Sequence, residues 1–569
     1  MPVALVPAPA PAWGGYGPES GPEMIQPVII RPQAAYSVTT GFPLAAAAAG
    51  ATTTPPARGG PTTMVAPGTL DLELERSNQT LAFEPWASAG MPAYRECPGR
   101  FTPPPLAPRH ATDLNGIALP STCFTGKPET VDGLHHVFVI GDWGGIVRSP
   151  GAPPVPADHR SPKFHGHRPF VVGADDCAQQ RVARQMSARS IVSAPDYVLN
   201  VGDNFYWGGI NIKCGAPPHR CNDATGQWRY AFEAIYTGPG LDGKQWLGVL
   251  GNHDFGGFMF TQGWDQAISY TWASGLATST GRWVTPALYY SAKVHYAEFS
   301  VDYYFVDSNV FDAFNEHADP SHNICSKMHN PGDATCGIQG PVSTEECPKW
   351  FKRLWAAQMK WLDRGLSAST ADWQIVVTHF PPEHGADDWK RLSRDHGIDL
   401  LITGHRHQQE VHYQEEGNFL RPTAYVVSGG GGGITSEALP NANGTDNQYG
   451  FMDLALSKKE IMIEMVSHGG QVRSTTCVLP RHRGGAADFP DGGPSLCDGH
   501  TLGPIDVPFE AGTDVSVTGI EPQDDTSFSD VVLDDEAYAS LLGSPSTPAS
   551  DAAFSSLLGK SSAANIQYI

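Results

Sequence analysis

Five short blocks bring together side chains able to bind metal ions: Gly141-Asp142-Trp143-Gly144, Gly202-Asp203-Asn204-Phe205-Tyr206, Gly251-Asn252-His253-Asp254, Val376-Val377-Thr378-His379-Phe380-Pro381 and Gly404-His405-Arg406-His407. Their donors are Asp142, Asp203, Tyr206, Asn252, His379, His405 and His407. Any one alone is unremarkable, since a strand-end Asp is usually a turn former or helix cap. Five such clusters in succession, most of them following an apolar run, point to a metal centre. Seven donors exceed what one ion needs from protein. Two ions sharing Asp203 would sit ~3.5–4 Å apart and clamp the attacking and leaving oxygens of a phosphoryl group. A carboxylate can bridge two cations where an imidazole normally cannot, and the shared anion screens their repulsion.

Such a site needs strands that end together. His135–Ile140, Tyr197–Val201 and Trp246–Leu250 read as strands delivering Asp142, Asp203 and Asn252. Helices are expected over Cys177–Val192, with Val182, Met186 and Ile191 on the apolar side, and over Trp228–Tyr236. This alternation predicts a parallel core. The run from Tyr289 to Asn309 reads as antiparallel strands, and Pro348–Leu366 as a helix whose Trp stripe is core packing. Gln374–Val377 and Ile398–Thr403 run into His379 and His405, and strands at Ala424–Ser428 and within Tyr449–Val466 complete an α/β fold. It is expected to hold two mixed β-sheets packed face to face and flanked by helices. Gly429–Gly433 lacks a following Gly-Lys-Ser/Thr, so it is no nucleotide-binding loop. A tight turn under the metal site is expected, with an anion-binding nest as the alternative.

Composition sets the limits. Residues 1–131 are Pro/Ala-rich and read as a mostly disordered extension, 132–480 as the catalytic domain, and 481–569 as an acidic low-complexity tail. Beyond residue 501 there are eleven acidic residues against one basic. The net charge of −22 leaves no basic stripe to neutralise a nucleic acid. No apolar run is long enough for a membrane span, and no secretory leader is visible. The ten cysteines pull toward an oxidising compartment. Cys214 and Cys221, and Cys325, Cys336 and Cys347, are spaced 7 to 11 residues apart without a C-x-x-C pair, which suits disulfides better than zinc knuckles. Buried thiols are the alternative. Sequons at Asn78 and Asn443 agree with an extracytoplasmic glycoprotein, secreted or vacuolar/lysosomal.

Taken together, the blocks resemble the calcineurin-like metallophosphoesterase superfamily and, within it, the purple acid phosphatases of the low-molecular-weight, tartrate-resistant type. Most of that superfamily has Asp-x-His in the first block. Here Trp143 and Gly144 follow Asp142, and Tyr206, three residues after Asp203, supplies a phenolate instead, a hard donor that suits ferric iron. The resemblance implies Fe3+ held by Asp142, Asp203, Tyr206 and His407, and Zn2+, Mn2+ or Fe2+ held by Asp203, Asn252, His379 and His405. It implies that His253 contacts the substrate phosphate and helps protonate the leaving alkoxide, and that His384 is a further substrate-side residue, although its interval after His379 is shorter than in the family. Asp254 is expected to orient a histidine.

The implied reaction is acid-pH hydrolysis of phosphate monoesters, small molecules with phosphoproteins or nucleotides as further candidates, by attack of a metal-bound hydroxide. No separate organic cofactor is implied. A Ser/Thr protein phosphatase fits less well, because Gly144, Tyr206 and Asp254 occupy its discriminating positions. The alternatives are a phosphodiesterase or nucleotide pyrophosphatase on the same metals, and a non-catalytic surface protein that retains the fold.

Overall fold

The computed structural model describes residues 97–126, 130–145, 168–206, 208–215, 226–273, 279–318, 323–481 and 495–498. Most of the two expected extensions, and the sequon at Asn78, lie outside these residues. The described strands, in chain order, are β1 (Ile117–Ala118), β2 (Thr122–Phe124), β3 (His135–Ile140), β4 (Tyr197–Asn200), β5 (Trp246–Gly248), β6 (Trp283–Val284), β7 (Tyr290–Tyr296), β8 (Ser300–Phe305), β9 (Trp373–Val377), β10 (Leu400–Thr403), β11 (Gln409–His412), β12 (Ala424–Ser428), β13 (Gly450–Leu456), β14 (Ile461–Ser467) and β15 (Val472–Val478). The long helices are α1 (Ala178–Ser193), α2 (Cys347–Ala368) and α3 (Ala386–His396).

Two mixed sheets result. One runs β15-β14-β13-β3-β4-β5-β6, parallel from β3 to β6. The other runs β1-β7-β8-β9-β10-β12-β11, with β2 also on β7, and is parallel from β8 through β9 and β10 to β12. The period-2 alternation of β3 shows how they pack. Val137 and Val139 enter an interior cluster with Leu199, Ile375, Val377, Ile402 and Val426, which lies between the sheets. Phe138 and Ile140 point the other way, into a cluster that includes Val182 and Met186 of α1 and Trp389 of α3. Strands covered on both faces are mostly apolar, and β4, β9 and β12 are buried at every position. Pro348 sits in the first turn of α2, where its missing N–H costs no helical hydrogen bond.

Three expectations need correction. Ile191 is not on the apolar side of α1; it is 66% exposed. It lies nine residues past Val182, which at about 100° per residue is the opposite face. The buried position is Arg189, whose Nε donates to Asp453 Oδ2 at 2.8 Å and whose Nη2 donates to Glu464. Asp453 also accepts from His136 Nδ1 at 2.7 Å, while His136 Nε2 meets Asp132 Oδ2 at 3.0 Å. The Trp228–Tyr236 helix is only a π-helical stretch over Trp228–Glu233. Described elements also lie beyond both expected limits: Cys97–Cys123 and strands β1 and β2, which pair with β7, precede residue 132, and Cys477–Cys497 reaches beyond 480.

The other disulfides are Cys214–Cys336 and Cys325–Cys347, so nearness in sequence did not set the partner of Cys214. Cys221 lies outside the described residues. No helix among the described residues is long and apolar enough to cross a membrane.

Candidate metal centre

The parallel strands of both sheets finish on one side of the fold, where an α/β sheet collects ligands from successive loops. β3 leads to Asp142, β4 to Asp203 and β5 to Asn252, while β9 and β10 of the other sheet lead to His379 and His405. Asp142, Asp203 and His405 take left-handed backbone angles, with φ of 58°, 50° and 69°. Such angles cost a non-glycine residue roughly 1–3 kcal/mol each and persist only where the surroundings impose them. The surroundings are bonds between blocks. Asp142 N donates to Gly202 O at 2.9 Å, Gly404 N to His379 O at 2.9 Å and His253 N to Asp203 Oδ1 at 2.8 Å.

Two donor groups form around Asp203. Asp142, Asp203 and His407 place ligand atoms within 4.8 Å of one another, as do Asp203, His379 and His405. Tyr206 Oη joins the first group, 2.8 Å from Asp203 Oδ2, 3.0 Å from Asp142 Oδ1 and 3.2 Å from His407 Nε2. Asn252 Oδ1 joins the second, 3.1 Å from His379 Nε2. His379 Nδ1 donates to Val201 O at 2.8 Å, which leaves Nε2 as the ligand atom. All seven expected donors therefore converge.

Electrostatics show that these residues fit cations. Asp142 and Asp203 are fully buried, and their ion-pair partners among the described residues are histidines, not Lys or Arg. Burial, reinforced by Asp203, raises the Asp142 carboxyl well above its usual range. Burial opposes a charge on His379 as well, yet Asp203 and Asp142 push it up to about 9. The two carboxylates thus draw positive charge into the pocket. Burial, with Asp142 and Asp203 beside it, raises the Tyr206 phenol well above its usual value; a coordinated cation reverses that logic and favours the phenolate. Burial holds His405 and His407 down, toward the neutral form that ligates metals.

Trp143, next to Asp142 in the first block, turns into the core. It is fully buried among Phe205, Phe232, Tyr236 and Trp246, with Nε1 donating to Asn200 Oδ1 at 3.0 Å. The glycine run is the expected close turn. A Cβ at Gly431 would lie 2.2 Å from Gly141 O, and one at Gly433 2.5 Å from the Tyr206 ring. Gly429, Gly431 and Gly433 already give their N–H groups to backbone carbonyls, which argues against the nest.

The two proposed substrate-side histidines flank the donors. The His253 ring lies 4.6 Å from that of Tyr206, and the His384 ring 5.9 Å from that of His405. Among the described residues, Asp254 hydrogen-bonds no histidine ring. It accepts from Gly251 N at 2.8 Å and from Asn204 N and Nδ2 at 3.0 and 2.9 Å, tying the second block to the third. The sequence reading also missed Asp312, which accepts from Asn252 Nδ2 at 3.2 Å. It lies in the segment after β8 and carries no metal-type motif that could have revealed it.

The model of the calcineurin-like phosphoesterase family matches residues 135–409, the span holding all five blocks. Tartrate-resistant acid phosphatase type 5 of Mus musculus is 25% identical over 366 residues, covering 60% of this chain and 89% of the relative. Purple acid phosphatase 7 of Arabidopsis thaliana is 27% identical over 309 residues, covering 53% and 71%. Among solved structures, GAP50 of the Plasmodium inner membrane complex aligns at 17% identity and a TM-score of 0.38, covering 61% of this chain and 89% of that one. The domain match and the donor set support a metal-dependent phosphoesterase, and the disulfides are compatible with an extracytoplasmic location. This chain carries a calcineurin-like phosphoesterase domain and is a homologue of the purple and tartrate-resistant acid phosphatases.

Proposed function

We propose that the chain is a binuclear acid phosphatase that hydrolyses phosphate monoesters outside the cytoplasm. The observation that carries this reading is the convergence of Tyr206 Oη on Asp142, Asp203 and His407 beside a second, imidazole-rich group that shares Asp203. The first group is anionic and oxygen-rich, which suits Fe3+; the second, Asp203, Asn252, His379 and His405, suits Zn2+, Mn2+ or Fe2+. Two cations bound there would acidify water and polarise phosphoryl oxygens.

The chain's own groups supply the rest. His253 lies on the first-site side and His384 on the second-site side, so a phosphate at the centre would meet an imidazole from either flank. A protonated His253 ring nitrogen would hydrogen-bond the phosphate and pass its proton to the departing alcohol oxygen. Burial lowers the His384 pKa and so favours its neutral ring. The interlocked backbone of the blocks keeps the donors in place through the reaction. Asn443, exposed within its sequon, and the four disulfides support passage through a secretory route.

The test is Asp203→Asn, assayed for metal content and for turnover of p-nitrophenyl phosphate. Loss of the carboxylate common to both donor groups is expected to cost more than the ~10–100-fold seen when a residue behind a metal ligand is changed. Near wild-type turnover with both metals bound would overturn the reading.

A further inference from the structure

The second candidate site is backed by a segment that contains none of its expected ligands. Residues 307–312 follow β8 and reach both blocks that supply that site. Asn309 Nδ2 donates to Leu250 O at 2.9 Å, just before the Asn252 block. Phe380 N, next to His379, donates to Ser308 Oγ at 2.8 Å. Thr378 Oγ1 donates to Val306 O at 3.0 Å, and Val306 N to Val377 O at 3.0 Å. Asn309 is itself held by Asp307, which accepts from its N and Nδ2 at 3.0 and 2.9 Å. This buried clamp ends at Asp312, 6% exposed, whose Oδ2 faces Asn252 Nδ2 at 3.2 Å.

An amide can present either its oxygen or its NH2 group to a cation site, and only the oxygen has a lone pair to offer. A carboxylate accepts and never donates when ionised, so Asp312 holds the NH2 end of Asn252 on its own side. Asn252 Oδ1 is thereby turned toward His379 Nε2, into the space where the second set of donors meets. We propose that Asp312 is a positioning residue that fixes the Asn252 amide with its oxygen facing the second metal site, so that affinity there, rather than at the first site, depends on Asp312. The inference rests on the two-metal reading above.

The test uses the full chain stripped of metal and titrated with Zn2+ by calorimetry, with thermal unfolding in chelator as a check on folding. Wild type is expected to take up two equivalents. Asp312→Ala is expected to weaken one equivalent by ~10–100-fold, the range seen when an outer-shell partner of a metal ligand is removed, and to leave the other unchanged. Asp312→Asn keeps an oxygen able to accept from Asn252 and is expected to restore most of that affinity. Equal weakening of both equivalents, wild-type affinity in Asp312→Ala, or Asp312→Asn no better than Asp312→Ala would each overturn the proposal. If Asp312→Ala fails to fold, the comparison of Asp312→Asn with wild type decides: a loss as large as ~10-fold would overturn it. Wild type binding fewer than two equivalents would instead sink the two-metal reading itself.

Discussion

His405 N donates to Asp142 Oδ2 at 3.0 Å, joining the first and last metal-binding blocks across 263 residues of sequence. The bond links one sheet's strand ends to the other's, since Asp142 follows β3 and His405 follows β10. Both residues adopt left-handed backbone angles, so the contact and the strain occur together. The site is therefore a seam between two sheets, and perturbations to the seam should register as changes in metal binding.

Tyr206 offers the most direct spectral test. Loaded with Fe3+, the wild-type chain is expected to show a tyrosinate-to-ferric charge-transfer band, and Tyr206→Phe to lose it while keeping the fold. A band that survives the substitution would assign the phenolate to another tyrosine.

The glycine turn predicts a steric route to the same loss. A Cβ at Gly433 would press on the Tyr206 ring and lie 2.8 Å from Trp143 C. Gly433→Ala should cost ~1–3 kcal/mol, as overpacking does, and weaken the first site. Gly417→Ala, where a Cβ meets nothing within 4 Å, should change neither. Chemical denaturation and metal titration of the two variants check this, and equal behaviour would remove the steric argument.

The buried network around His136 makes a pH prediction. Burial lowers the His136 pKa, but Asp453 and Asp132 overcome it and push the group up to about 10. A pKa raised above its unfolded value means the folded chain binds the proton more tightly. The stabilisation is fully present below about 6.5 and is lost as pH rises through about 10. His136→Leu leaves the half-buried Asp132 without this partner and Asp453 with Arg189 alone, and should cost ~3 kcal/mol near pH 6, with a smaller deficit toward pH 10. Unfolding measured across that window reads the difference; a deficit independent of pH would refute the charged histidine.

The Cys214–Cys336 disulfide encloses a sequence separation of 122 residues, so the chain-entropy model assigns it roughly 4–5 kcal/mol. The double variant Cys214→Ser/Cys336→Ser should unfold at lower denaturant by about that amount, with no change at the metal donors. An unchanged midpoint would show that the bond is dispensable for stability.

Much of the site was legible before the fold was known. Asp142, Asp203, Asn252, His379 and His405 follow strands whose apolar runs are visible in the sequence, and a ligand's chemistry is written in its side chain. That Tyr206 stands in for an imidazole was implied only by the resemblance of the first two blocks to those of the purple acid phosphatases; the structure adds that its phenol lies beside Asp142, Asp203 and His407. The apolar face of α1 was only half readable. Val182 and Met186 obey helical spacing, but the buried Arg189 does not look like a core residue until Asp453 and Glu464 are brought beside it.

What the sequence determined by itself was therefore the candidate donors, the strand ends that carry them and the two-sheet α/β class, because these follow from local periodicity and side-chain type. Only the tertiary structure decided that Cys214 pairs with Cys336, that Asp254 braces backbone rather than a ring, and that Asp312 faces the Asn252 amide. Each of these joins residues from separate elements, and a polar group's partner depends on which elements the sheet topology sets side by side.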